Sequence, residues 1–123
     1  MPGLTLDTGA MIALERRDRR TLRLVHEAQR RGDDVTVPTV VLAEWWRGQR
    51  GLGRLLDSLV IEPVSRQVAE RAGEACITRS CGAVDAIVMA SAAQRGDVVL
   101  TSDFSDLERL RTHFRAVPRV LRV

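Results

Sequence analysis

The sequence predicts a three-layer α/β sandwich, with a mostly parallel central sheet of four to five strands flanked by helices. Three observations carry this. Short aliphatic and β-branched runs alternate regularly with longer segments of helical apolar spacing. Gly32, Pro38 and Gly96 fall between these segments, where turns and caps belong. Two of the strand-like runs pass directly into an aspartate, at the strand ends where open α/β sheets gather their ligands.

Taken in order, GLTL (3–6) reads as a buried strand. DTGAMIALERRD (7–18) and RRTLRLVHEAQRRG (19–32) read as two helices, the second stopped near Gly32. DVTVP (34–38) is a second strand, ended by Pro38. TVVLAEWWRGQ (39–49) reads as a helix with Thr39 as its N-cap, and GLGRLLDSL (51–59) as a short further helix. VIEPV (60–64) is a third strand. SRQVAERAGEACITRS (65–80) and AVDAIVMASAAQRG (83–96) are helices, and DVVLTSD (97–103) is a fourth strand. SDLERLRTHF (105–114) is a helix in which Ser105 and Glu108 have the spacing of a capping box. AVPRVLRV (116–123) offers a last strand, held to an edge by Pro118.

The 123 residues suit a single domain, 1–123, and 45% apolar content supports a real core. No apolar run approaches the ~20 residues of a membrane span, and MPGLTLD lacks the basic-then-apolar order of a signal peptide. The expected location is therefore the cytoplasm, with no membrane partner. The net charge is +3, and all 19 basic residues are arginine. Arginine's planar fork suits phosphates, so a nucleic-acid partner fits; a general preference for arginine over lysine explains the count equally well. Cys76 and Cys81 do not form a CxxC pair and His26 and His113 stand apart in sequence, so the cysteines read as buried or half-buried thiols rather than a zinc site.

Four carboxylates occupy apolar company. Asp7 ends LTL, Glu44 interrupts VVLA and WW, Asp85 opens the apolar helix AVDAIVMASAA, and Asp103 follows VVLTS. Each has an ordinary local role: Asp7 as a helix cap, Asp85 as a first-turn acid favoured by the helix dipole, Glu44 as a helix-surface residue, Asp103 as a turn residue. Together they suggest one polar pocket, because a charge in an apolar segment is costly unless paired. Two carboxylates ~4 Å apart repel by roughly 4 kcal/mol at an effective dielectric of 20, so a cation belongs among them. Oxygen ligands alone favour Mg²⁺ or Mn²⁺, ions that bind phosphate oxygens and orient a water for in-line attack. On this reading Asp7, Glu44, Asp85 and Asp103 are both the catalytic and the metal-binding set. Asp7 and Asp85 hold the ion, while Glu44 and Asp103 complete the outer sphere and orient the water. Arg47, Arg50 and Arg79 are available for phosphates or are plain surface charge. Trp45 and Trp46 project about 100° apart on a helix, so they cannot share one face.

LTLDTGAMIALERRD, VPTVVLAEWWRG, AVDAIVMASAAQRGDVVLTSD and DLERL together resemble the PIN-domain ribonucleases, and most of all the toxin half of VapBC-type toxin–antitoxin pairs. The resemblance covers nearly the whole chain. It implies a PIN-like fold and Mg²⁺-dependent endoribonuclease activity (Mn²⁺ substituting), leaving a 3′-hydroxyl and a 5′-phosphate. Asp7, Glu44 and Asp85 match the family's first three acidic positions. Asp103 matches the fourth, with Asp106 as a supplement. Thr101 matches a small hydroxyl residue beside the last Asp, available to bind a water or phosphate, and Thr8 helps hold the Asp7 loop; with Arg47 and Arg79 these two are the substrate-binding candidates. The likeness also implies an RNA substrate, a homodimer and a cognate antitoxin that blocks the site. The chain departs from the family pattern at RSCG (79–82).

Other chemistries fit less well. Phosphate-accepting receivers and haloacid-dehalogenase-type phosphatases also place an Asp after the first strand, but they need a lysine near the phosphate, and this chain has none. No GxxxxGK[ST] loop occurs. Two alternatives remain: a catalytically silent PIN-like module that binds RNA or a partner without cutting, and a nuclease directed at DNA.

Overall fold

The computed structural model describes residues 2–123. The chain runs β1 (Leu4–Leu6), α1 (Thr8–Glu15), α2 (Arg19–Arg30), β2 (Val35–Pro38), α3 (Thr39–Trp45), α4 (Gly53–Asp57) and β3 (Val60–Glu62). It continues α5 (Arg66–Arg79), α6 (Ala83–Arg95), β4 (Val98–Thr101), α7 (Phe104–Leu110) and β5 (Val120–Arg122). All five strands among the described residues pair in parallel, in the order β3-β2-β1-β4-β5. The predicted α/β sandwich with a parallel sheet is therefore what forms.

Central strands β1 and β2 are wholly buried, as expected of parallel strands covered on both faces. Helix α6 packs against β1, β2 and β4. Seven of its residues, from Ala86 to Ala93, are buried, which is why its sequence is apolar on most faces. Met11, Met89, Leu107, Leu110 and Phe114 fill the rest of the core.

Several boundaries differ from the sequence expectation, each for a local reason. The helix expected over 7–18 ends at Glu15. Arg17 turns left-handed (φ 59°), and Asp18 caps the next helix by accepting from the Thr21 backbone N–H at 2.9 Å and its hydroxyl at 2.7 Å. The helix expected over 39–49 stops at Trp45, because Trp46 is extended and Gly48 is left-handed (φ 76°). Thr39 is not the cap of that helix. Pro38 holds the N-cap position, and the Thr39 hydroxyl instead accepts the Val64 N–H. The Ser105–Glu108 capping box does not form either. The helix begins one residue earlier behind Asp103, and Glu108 bonds Arg111 at 2.8 Å.

The strand order positions the site. After β1 the chain moves outward through β2 and β3, then returns to the other side of β1 to lay down β4. The β1/β4 junction is thus where the strand order reverses, and the crevice at the carboxyl ends of those strands is where ligands bind in such sheets. In the β1–β4 register Leu6 stands opposite Leu100, so Asp7 comes next to Thr101.

Candidate active site

Asp7 is both of the things its sequence position allowed. Its Oδ1 accepts the Ala10 N–H at 2.8 Å, capping α1, and its Oδ2 accepts the Thr101 hydroxyl. The Thr101 oxygen in turn accepts the Asp103 N–H at 2.8 Å. One hydroxyl thus ties both strand-end aspartates together, its proton committed to Asp7 and a lone pair to the Asp103 backbone. Asp7 is 4% exposed and no cation touches it. Burial raises its pKa, partly opposed by the Thr101 and Ala10 hydrogen bonds and reinforced by the charge of Asp103.

A cleft of about 370 Å³ opens above it. Asp7, Glu44, Asp85 and Asp103 all line this cleft, with Thr8, Gly9 and the Gly82–Val84 stretch. The four acids come from four places in the fold: the end of β1, α3, the first turn of α6 and the link after β4. They are graded in depth, with Asp7 buried, Asp85 half-buried, and Glu44 and Asp103 exposed. No lining residue is cationic. The Thr8 hydroxyl donates to Glu44 Oε1 at 2.5 Å, joining the start of α1 to α3.

Asp85 registers the crowding. Its carboxyl is pushed up to about 6, first by burial and then by the charges of Asp103, Asp7, Asp106 and Glu44. Asp106 thus acts on the cleft through charge, while its own carboxylate lies 3.6 Å from Arg109. Among the described residues no three His, Cys, Asp or Glu side chains are gathered into a ready-made metal cage. A set of oxygen donors at graded depth, short of a cation, fits a hydrated Mg²⁺, which takes one or two carboxylates directly and keeps several waters.

The arginines suggested for phosphate binding lie elsewhere. Arg47 pairs with Glu15 at 2.6 Å, and Glu15 also accepts the Trp45 indole N–H at 3.0 Å. Arg79 ends α5 and does not line the cleft. Trp45 is buried at the end of α3 and Trp46 is 46% exposed; they part because the chain leaves the helix at Trp46 in an extended conformation, not because they sit 100° apart on it. Gly9 was not singled out from the sequence, yet it is indispensable to the geometry. A Cβ there would lie 1.8 Å from Ser102 Oγ, so only glycine lets α1 start against the link after β4. A Gly following Asp-Thr at a strand end was the sole trace of this in the sequence. Gly82 to Val84, within or beside the stretch that departs from the family pattern, form a wall of the cleft.

A sequence model of the PIN domain matches residues 4–111. No curated protein matches the chain in sequence. Among solved structures, it is similar to VapBC2 from Rickettsia felis bound to a DNA fragment from its promoter (TM-score 0.76, 15% identity, 98% of each chain covered). It is also similar to a toxin–antitoxin complex from Klebsiella pneumoniae (TM-score 0.70, 19% identity, 85% of this chain and 89% of that one). A third is FitAcB from Neisseria gonorrhoeae (TM-score 0.61, 19% identity, 96% of each chain). At these identities the likeness is one of fold.

Proposed function

From the premise that this chain belongs to the PIN domain family, we propose that it is a Mg²⁺-dependent endoribonuclease, the toxin of a type II toxin–antitoxin pair. The observation that carries this reading is the convergence of Asp7, Glu44, Asp85 and Asp103, from four separate elements, on one cleft lined by no cation. Similarity in fold to a chain of a toxin–antitoxin complex supports a protein partner; the homodimer rests on the family resemblance alone. Among the described residues no helix is long and apolar enough to cross a membrane, in keeping with a cytoplasmic role.

Asp7 and Asp85 hold the ion, and Mn²⁺ can take its place. Asp7 is aimed beforehand, because Thr101 and the Ala10 N–H fix both of its oxygens and leave their remaining lone pairs to the cleft. The bound ion supplies charge neutralisation at the scissile phosphate and lowers the pKa of a water. Glu44 and Asp103, at the exposed rim, would orient an attacking water and accept its proton. The Thr8 hydroxyl fixes Glu44 by donating to its Oε1. Hydrolysis leaves a 3′-hydroxyl and a 5′-phosphate. Arg47 or Arg79 reaches the substrate's flanking phosphates only by leaving its position in the free protein, for Arg47 its pair with Glu15.

Incubating the purified protein with total RNA, with Mg²⁺ or with EDTA, and mapping the new ends tests this. Mg²⁺-dependent 5′-phosphate ends are expected, and intact RNA under both conditions would reject it. A second reading, a silent PIN-like binding module, draws on the absence of a tight three-ligand cage among the described residues. Titration calorimetry with Mn²⁺ separates the two, since a silent site takes up no metal.

A further inference from the structure

The nuclease reading uses neither cysteine, yet the two sit where they can act on the cleft. Cys76 lies in the last turns of α5, and Cys81 in the link over 80–82 that joins α5 to α6. Their Sγ atoms are 3.0 Å apart. A disulfide spans ~2.05 Å, so about 1 Å of approach converts one state into the other. Both thiols are half-buried, which admits a small oxidant. The link can supply the movement, since it has no helix or strand structure and opens on Ser80 in the left-handed region (φ 50°). Cys76 Sγ also lies 3.8 Å from the Gly82 carbonyl oxygen. Gly82, Ala83, Val84 and Asp85 then form one wall of the acidic cleft.

We propose that Cys76 and Cys81 form a reversible intramolecular disulfide that fastens the Gly82–Asp85 wall of the cleft to the end of α5. Its effect on cleavage rests on the nuclease reading, whereas the bond and the fastening do not. The oxidant is hydrogen peroxide. The Cys76 sulfur attacks a peroxide oxygen, the O–O bond breaks, and the leaving oxygen departs as water with the thiol proton. The Cys81 sulfur then attacks the sulfenic sulfur. The S–S bond forms, the S–O bond breaks, and a second water leaves with the Cys81 proton. Two thiols lose two electrons and one peroxide becomes two waters. Burial, with the adjacent Cys76 and the charge of Asp85, pushes the Cys81 thiol up to about 11, which assigns it the second step. Closing the bond shifts the wall by up to about 1 Å, a misplacement that costs an active site as much as 10²-fold in rate.

The purified full chain is treated with hydrogen peroxide, then with an alkylating agent, and compared with the reduced chain. The expected product is a monomeric chain about 2 Da lighter that resists alkylation and yields a Cys76–Cys81 cross-linked peptide. Backbone amides of residues 83–86 should exchange more slowly in it, Mg²⁺-dependent RNA cleavage should fall at least about tenfold, and dithiothreitol should restore both. Cross-links only between chains, or no loss of thiols, would overturn the proposal, as would a bond that leaves exchange unchanged. The Cys76→Ser and Cys81→Ser variants should match the reduced chain in exchange and form no intramolecular bond; in Cys81→Ser the oxidation stops at the Cys76 sulfenic acid, and slowed exchange over residues 83–86 in either variant after peroxide also refutes the proposal. If the reduced chain cuts no RNA, the nuclease reading fails, and amide exchange still decides the disulfide.

Discussion

Two aspartates, Asp7 and Asp97, are each 4% exposed, and they lie at opposite ends of the same pair of strands. Asp97 precedes β4. Its Oδ2 accepts the Thr5 hydroxyl at 2.8 Å and Arg95 Nε at 2.9 Å, and Arg95 reaches on to Thr5 at 2.9 Å and Ser91 at 3.0 Å. Asp7 follows β1 and has only neutral donors. The two are equally buried but differ in chemistry. A buried carboxylate with its own guanidinium is complete and holds the fold together. One supplied only with a hydroxyl and an amide remains a net negative charge facing a cleft that already contains three more. Burial alone therefore does not single out a candidate site acid; what distinguishes Asp7 from Asp97 is burial without a counter-charge.

The comparison can be broken most severely at the functional end. Asp7→Asn should lower Mg²⁺-dependent cleavage by at least about 10²-fold while keeping an oxygen for the Ala10 N–H. Because folding raises the Asp7 pKa, its carboxylate opposes folding above the unfolded value of 3.8. The metal-free variant should therefore melt no lower than the parent at pH 7, and a lower melting temperature would count against this account. The structural end should respond in the opposite sense. Arg95→Ala leaves Asp97 buried and unpaired, at about 3 kcal/mol, or a fall of roughly 10 °C in melting temperature. Calorimetric scanning of the two variants side by side tests the contrast directly.

A finer test uses pH. Asp85 holds its proton more tightly folded (about 6) than unfolded (3.8), so its stabilising contribution is full below pH 4 and is lost as pH rises through 6. Since Asp85 is only half-buried and solvent screens its charge, Asp85→Asn should raise stability at pH 8 by no more than about 1 kcal/mol. The same proton competes with metal. Mn²⁺ affinity should rise by up to about tenfold from pH 5 to pH 7 and level off above, as read by titration calorimetry. A flat profile would mean that Asp85 stays out of the ion's reach. The smallest expected effect is at Thr36, whose buried Oγ1 has no hydrogen-bond partner. Thr36→Val should stabilise the protein by about 0.5 kcal/mol, measurable by urea denaturation.

Much of this was legible in the chain. The alternation of elements, the apolar character of 83–95 and the four acids in apolar company all appear in the linear order. The failures were local competitions. Arg17, Gly48 and the Asp18 cap cut two helices shorter than their apolar spacing suggested, and Glu108 chose Arg111 over a cap. The arginines were harder still. Nothing near Arg47 in sequence shows that Glu15, 32 positions away, will take it. Nothing near Cys76 shows that an αL turn at Ser80 will bring Cys81 within contact.

By itself, the sequence determined the fold class and the residue types that reach the strand ends, because hydrophobic period and turn chemistry act over a few neighbours at a time. Only the tertiary structure decided that β1 lies between β2 and β4, and hence that Thr101 meets Asp7 and Thr5 meets Asp97, more than ninety positions away in each case. Those pairings follow from strand order and register, which the whole packed sheet selects. They separate the aspartate that is neutralised from the one that is left seeking a cation.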